Sequence, residues 1–516
     1  MFVRLAHHKG LAMLLVGFIS LAARALLLPV LPIPKPAIQD EFSYLLASDT
    51  FSSGKLTNPT PPFAEHFETL QVLLHPTYAS KYPPLSALMM ALGQSITGEP
   101  WVGVWLATGI LCATLCWALQ GWLPPVWALV GSLLALARIG IVSYWSESYW
   151  GGTCAAIGGA LVIGALPRLL RRMQPGAALA FAGGLAILAN TRPYEGLVLA
   201  MVCSGVLVFG LVRRPVTIGR LSRAFIVPMA LLLIPVFGWM AYYNYRVTGN
   251  AIEIPYVAHD KQYVVHSPLL WQTHLNTAPV YSSAVLKEFW TVAAANDNQS
   301  ARDHWLKAHV SDLLTLGHFF LGWPLIICII AFVRPLWRDP RARWALLLAA
   351  GFYAGVAWDA RLFPHYAAPA TALIYILAAC SLRAARNAWP GTFAESRFMI
   401  WAVLGLFALT TGLAMLTPEN RYLFGPIDYH VQAKHASIAE RLEREPGRHL
   451  VLVHYGSRHD MYEELVFNRA DIERARIVWA HSLGPEKDRC LIDHFSDRHA
   501  WLLEDDGDLK LRAYAR

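Results

Sequence analysis

The stretch LAMLLVGFISLAARALLLPVLPIPKPAIQDEFSY, residues 11–44, decides how the chain is read. Residues 11–31 form an apolar run about as long as the hydrocarbon core of a bilayer is thick when helical. Pro29, Pro32, Pro34 and Pro36 then interrupt any helix, and Asp40-Glu41-Phe42-Ser43-Tyr44 opens a polar loop. A cleaved leader would have a shorter apolar run followed by an A-x-A-like site, so the run is expected to stay as the first membrane helix.

Ten further apolar segments follow, at 101–119, 124–143, 151–167, 177–190, 196–212, 224–243, 313–333, 343–358, 365–382 and 398–417. The composition agrees: of 516 residues, 55% are hydrophobic and only 15% charged, against about 25% charged in a soluble domain. The expected fold is therefore an all-α polytopic membrane bundle of about 11 transmembrane helices. Residues 83–97, after Pro83-Pro84, read as an interfacial or re-entrant helix rather than a span. Six of the seven cysteines lie in apolar segments and only Cys490 in a polar one, so no disulfide framework is read.

The net charge of +8 could suggest a nucleic-acid partner, but its location excludes one. From Glu419 onward, about 15 Lys and Arg stand against about 18 Asp and Glu, so the basic excess belongs to the membrane region. With the N-terminus inside, the short inner connections hold sixteen Lys and Arg and the short outer turns only Arg192 and Arg361, which by the positive-inside rule puts the N-terminus in the cytoplasm and the C-terminus outside. Three large pieces then face outward: loops 32–100 and 244–312, and a domain over 418–516. In that domain, β-rich runs at His449–Tyr455, Arg476–Ala480 and Ala500–Leu503 alternate with helical stretches, predicting a small α/β unit that donor-lipid binding could do without.

Candidate chemistry collects on the same face. Asp40 and Glu41 could supply a general base, although Asp40 could equally serve as a helix cap. Lys81 and Tyr82, just before Pro83-Pro84, place an ammonium where a lipid phosphate would meet it, or a snorkelling lysine beside interfacial tyrosines. Three aromatic-rich outer turns add Glu147, then Arg192 and Glu195, then Arg361 and His365. Arginine forks suit phosphate oxygens, and an interfacial aromatic belt with locally paired charges is the other reading. Arg24 and Arg138, toward the outer ends of apolar segments, are expected to snorkel. His454 to Asp460 reads as either a site or a polar turn after a strand. No HExxH, paired CxxC, P-loop or GxGxxG context is present, so no cofactor is expected and a divalent metal has no motif behind it.

These residues resemble the GT-C superfamily of polytopic glycosyltransferases, which includes protein O-mannosyltransferases, lipid A aminoarabinose transferases and RgtA/B/C/D-like enzymes. The resemblance covers residues 1–417 and rests on the N-in first helix, the Asp40-Glu41 pair, the Lys81-Tyr82-Pro83-Pro84 stretch and Arg192-Pro193-Tyr194-Glu195. It implies an inverting transferase of the cell envelope that takes a sugar from a polyprenyl-phosphate donor in the bacterial inner membrane. It also implies Asp40 as the base, with Glu41 beside it, and Lys81 as a phosphate ligand. The acceptor, whether glycan, lipid or protein, is not implied, because the C-terminal domain and segment count differ from the aminoarabinose enzymes. Arg361 and His365 match no motif of the family and are added from their position alone. A transporter or flippase of lipid-linked sugars, or a non-catalytic envelope assembly protein, is the alternative; transporters commonly show repeats and mid-membrane ionisable groups, and this sequence shows neither a repeat nor a mid-membrane acid.

Overall fold

All eleven apolar segments are helical in a computed structural model of the chain, which describes residues 1–514 apart from 268, 271–278, 361, 389–392, 417–428 and 461–463. Arg361 and the proposed domain boundary at 417/418 lie outside the described residues. Among the described residues, seven helices are long and apolar enough to cross a membrane: Lys9–Leu26, Trp101–Trp122, Thr153–Arg171, Pro193–Arg213, Ile218–Thr248, Trp305–Ala331 and Ala368–Ala388. Among the shorter apolar helices are Leu85–Thr97, Pro125–Ile139 and Pro175–Ala189. The protein is thus a multi-pass helical membrane protein with a small C-terminal sheet domain.

Local signals set the helix ends. Pro125, Pro175, Pro193 and Pro255 each occupy the first turn of a helix, where a missing N–H costs nothing. Gly98 (φ 85°) and Gly249 (φ 80°) end Leu85–Thr97 and Val227–Thr248 in the left-handed conformation. Helices approach closely where side chains are smallest, as is usual in lipid: a Cβ on Gly103 would sit 1.9 Å from the Met89 carbonyl oxygen. The outward face of Val227–Thr248 exposes Leu231, Ile234 and Phe237, a surface suited to acyl chains.

Arg138 does not snorkel. The Trp305–Ala331 helix breaks at Gly322 (φ 64°, ψ 165°), two residues before Pro324, which frees the carbonyls of the preceding turn. Arg138 donates to the oxygens of His318 and Phe319, and Tyr375 donates to that of Phe320 at 2.8 Å. A backbone break at membrane depth is tolerated when protein groups satisfy it in this way.

In the loop 32–100, the strand Thr77–Ser80 pairs antiparallel with both Asn58–Pro59 and Val72–Leu73, and Lys81 follows immediately. The C-terminal sheet runs in the order Ile477–His481, His449–Tyr455, His499–Asp505, Leu509–Ala513, with the first three strands parallel. The last strand was not read from the sequence, because LKLRA mixes charge and apolar residues at an exposed edge. Both sheet faces are covered: Val451 and Val453 pack with Ile438 and Leu442, while Leu450 and Leu452 share a cluster with Leu46, Phe67, Val72 and Tyr78 of the first loop. Arg469 also pairs with Asp49 at 2.7 Å, and Phe467 stacks on Phe42 at 4.2 Å. The C-terminal domain therefore shares a hydrophobic core with the first loop.

Candidate functional site

The helix Gln39–Ser52 begins after the proline-rich exit and turns its two first-turn carboxylates in different directions. Glu41, at the third helical position, folds back: one oxygen accepts from the N–H groups of Ala37 (2.6 Å) and Ile38 (3.2 Å), and the other from that of Tyr149 (2.9 Å). It caps its own helix and ties it to the 140–152 turn. Asp40 is half-buried and accepts from the hydroxyl of Tyr82. Tyr44, one turn on, stacks on Tyr82 with ring centroids 4.4 Å apart, an i,i+4 arrangement that puts carboxylate and ring on one face.

Lys81 is 5% exposed. Its ammonium lies 4.5 Å from the ring centre of Tyr256, 5.4 Å from Tyr82 and 5.6 Å from Trp290, a cation held by ring faces. Burial lowers its pKa, the fields of Asp260 and Asp40 oppose that, and Arg192 adds to the lowering, so the groups lie within electrostatic reach of one another. Arg192 precedes the helix Pro193–Arg213. Its guanidinium sits 4.6 Å from the Tyr366 ring centre and 3.8 Å from Glu195. The Leu85 N–H donates to the Asn190 carbonyl at 3.1 Å and so locks the Lys81 turn against the Arg192 turn. A narrow cleft lined by Lys81, Pro83, Asn190, Met240, Tyr243 and Tyr256 opens beside the ammonium, along the lipid-facing helix Val227–Thr248.

His365 is sealed behind this group. Its Nδ1 lies 2.9 Å from the Tyr144 hydroxyl, and its ring is 4.5 Å from those of Trp150 and Tyr366. Burial, helped by Arg192, holds its pKa well below the usual histidine range, so it is neutral. Glu147 is placed elsewhere: both its oxygens accept from Arg24, at 2.7 and 2.9 Å, in a pair whose side chains are 9% and 2% exposed. Arg24 also donates to the Leu31 and Pro32 carbonyls, so it is anchored inside the protein and does not snorkel. Among the described residues no group of three His, Cys, Asp or Glu side chains converges as a metal site would require.

No family model and no curated protein sequence matches the chain. Among solved structures it is similar to ArnT from Cupriavidus metallidurans bound to undecaprenyl phosphate, with a TM-score of 0.51 and 16% identity over 98% of this chain and 92% of that one. The chain shares the fold of this ArnT structure. The oligosaccharyltransferase of Archaeoglobus fulgidus in its apo form is also similar, with a TM-score of 0.50 and 9% identity over 86% of this chain and 62% of that one. The ArnT likeness, at 98% of this chain, runs past residue 417.

Within this fold, Asp40, Lys81, Tyr82, Arg192, Glu195 and His365 are linked through shared tyrosine contacts and fields, while Glu41 and Glu147 are committed to internal partners. Tyr256, His259, Asp260 and Trp290, all from the loop 244–312, are not among the residues that the sequence singles out. His259 is fully buried against Trp290, with its ring centre 5.4 Å away, and burial together with the Lys81 charge drops its pKa to about 4. The signal for Tyr256 was Ile254-Pro255-Tyr256, where the proline starts a helix and fixes the next ring.

Glu41 also gives a pH test. Burial raises it to about 7 against the pull of its three backbone donors. The folded carboxyl then keeps a proton that the unfolded chain releases near 4.5, so stability falls as pH rises from about 4.5 to about 7, by on the order of 3 kcal/mol. Melting of the detergent-solubilised protein across that range should show this slope, and Glu41→Gln should flatten it; equal slopes would remove Glu41 as its source.

Proposed function

We propose that the chain is a glycosyltransferase that moves a sugar from a polyprenyl-phosphate donor to an acceptor hydroxyl or amine at the outer face of the inner membrane, with its N-terminus cytoplasmic and its C-terminal domain outside. The observation that carries this reading is Lys81, held among tyrosines in the wall of a narrow cleft along a lipid-facing helix, with Asp40 on the neighbouring Tyr82 and Arg192 within electrostatic reach of the ammonium. The similar ArnT structure contains undecaprenyl phosphate. The donor enters laterally, its phosphate reaching Lys81 and Arg192 while the prenyl chain stays in lipid.

The transfer is a single displacement with inversion. Asp40 takes the proton of the acceptor hydroxyl, whose oxygen forms a bond to the sugar C1 as the bond from C1 to the phosphate oxygen breaks. The electron pair leaves on the polyprenyl phosphate, and the two cations stabilise the charge that develops there. Tyr82 holds Asp40 by one oxygen. His365, neutral and hydrogen-bonded to Tyr144, positions the aromatic wall behind Arg192 and carries no proton in the step.

Titrating the full-length protein with undecaprenyl phosphate tests the donor site. Lys81→Ala should weaken binding about tenfold or more, in line with a charge-assisted contact of about 1.5–3 kcal/mol, without lowering the melting temperature. Unchanged affinity would remove Lys81 from the phosphate site.

A further inference from the structure

Outside the carboxyl ends of the parallel strands of the C-terminal sheet lies a cavity of about 430 Å³, where open parallel sheets leave their crevice and within the size range of small-ligand clefts, about 300–1,000 Å³. Tyr455, Ser457 and His459 reach it from the central strand and the turn after it, Ser482 from the neighbouring strand, and Ser282 and Glu288 from the second outer loop.

His459 is its chemical centre. Its Nδ1 lies 2.9 Å from Oδ2 of Asp505, at the end of the third strand, and the two side chains are 2% and 1% exposed. A carboxylate can only accept, so Nδ1 carries the proton of this bond, and in that tautomer Nε2 is left as a lone pair. Tyr455 stacks on the imidazole at 3.9 Å and fixes its plane. Among the described residues Nε2 has no partner. A buried ring nitrogen without a partner among the described residues, in the wall of a cavity, is a place where a ligand's donor can bind.

The wall hydroxyls are turned the same way. Ser482 donates to Asp488 at 2.7 Å, and Ser282 donates to Glu68. A hydroxyl whose proton is committed to a carboxylate offers only lone pairs elsewhere. With the Glu288 carboxylate, the crevice presents acceptors, which repel a phosphate and match a ligand rich in O–H donors. A second cavity of about 1070 Å³ shares Ser282, His454, Ser482 and Leu483 with the first and continues past Tyr514, so an extended ligand fits. The segment that walls the crevice also reaches the transfer site: Glu288 lines the cavity, and Trp290, two residues on, stands over the Lys81 ammonium.

We propose that this crevice binds a glycan, its hydroxyls donating to His459 Nε2 and the two serine oxygens, and that the glycan is the body of the acceptor. The acceptor role rests on the transferase reading above; the binding does not. Full-length protein in lipid nanodiscs, applied to a printed array of bacterial envelope oligosaccharides, should be retained on a subset of them. His459→Ala should lower that retention at least tenfold. So should Ser457→Trp, which fills the crevice from an exposed position and leaves the buried Asp505 pair intact. Both variants should bind undecaprenyl phosphate as the wild type does. Retention no greater than that of empty nanodiscs, or retention by Ser457→Trp equal to wild type, overturns the glycan site. Glycan retention by a wild type that does not bind undecaprenyl phosphate upholds the site and removes the transferase reading instead.

Discussion

Asp40→Asn is expected to lower sugar transfer by about 10²–10⁴-fold, the usual contribution of a positioned base, while expression and undecaprenyl phosphate binding stay near wild type. The substitution keeps the shape of the side chain and an oxygen for the Tyr82 hydroxyl, and removes only the basicity. Asp40 is the second residue of its helix, after the N-cap Ile38, so a carboxylate that acted only on the helix dipole would contribute about 0.3–1 kcal/mol of stability, and Asp40→Asn would leave turnover unchanged. A turnover assay with a polyprenyl-phosphate sugar separates the two outcomes, and a normal rate would end the base assignment. Glu41 could not take its place, because both its oxygens are held by backbone N–H groups.

Removing either partner of the Arg24–Glu147 pair is expected to destabilise the protein by about 3–5 kcal/mol, since a buried charge is left uncompensated. Arg24→Met or Glu147→Leu should therefore sharply reduce the fraction recovered as a monodisperse species from detergent. The double substitution should recover most of the loss, because an apolar pair of similar volume is often neutral or stabilising. If Glu147 bound substrate instead, Glu147→Leu would impair turnover at normal stability, and the double variant would rescue nothing.

Much of the fold is legible because hydropathy in lipid reports directly on helices: each of the eleven marked segments is one, and the Arg192 and Lys81 turns follow from their prolines. The division of labour between Asp40 and Glu41 was not. A capping box is read from Ser, Thr, Asp or Asn at the N-cap, and here Ile38 occupies that position with only its backbone to offer, so nothing marked Glu41 as the structural member. The internal roles of Arg24 and Arg138 escaped for a related reason. Their partners, Glu147 and the carbonyls freed at Gly322, are more than a hundred residues away in sequence, and an arginine in an apolar run looks the same whether it reaches water or a broken helix. Tyr256 and Trp290 close the box around Lys81 from a loop about 175 residues or more downstream, through contacts that no local pattern encodes.

The cluster in which Leu46 and Phe67 meet Leu450 and Leu452 has a consequence for synthesis. Asp49 and its partner Arg469 are 420 residues apart. At translation rates of about 5–20 residues per second, the first loop waits on the order of 20–80 s for the strands that cover its apolar face. Until then Leu46, Phe67 and Tyr78 stand open beside the helix that carries Asp40, so a nascent or prematurely stopped chain can be inserted in the membrane yet still lack a finished first loop. The first loop therefore keeps an uncovered apolar face until the strand that carries Leu450 and Leu452 is made.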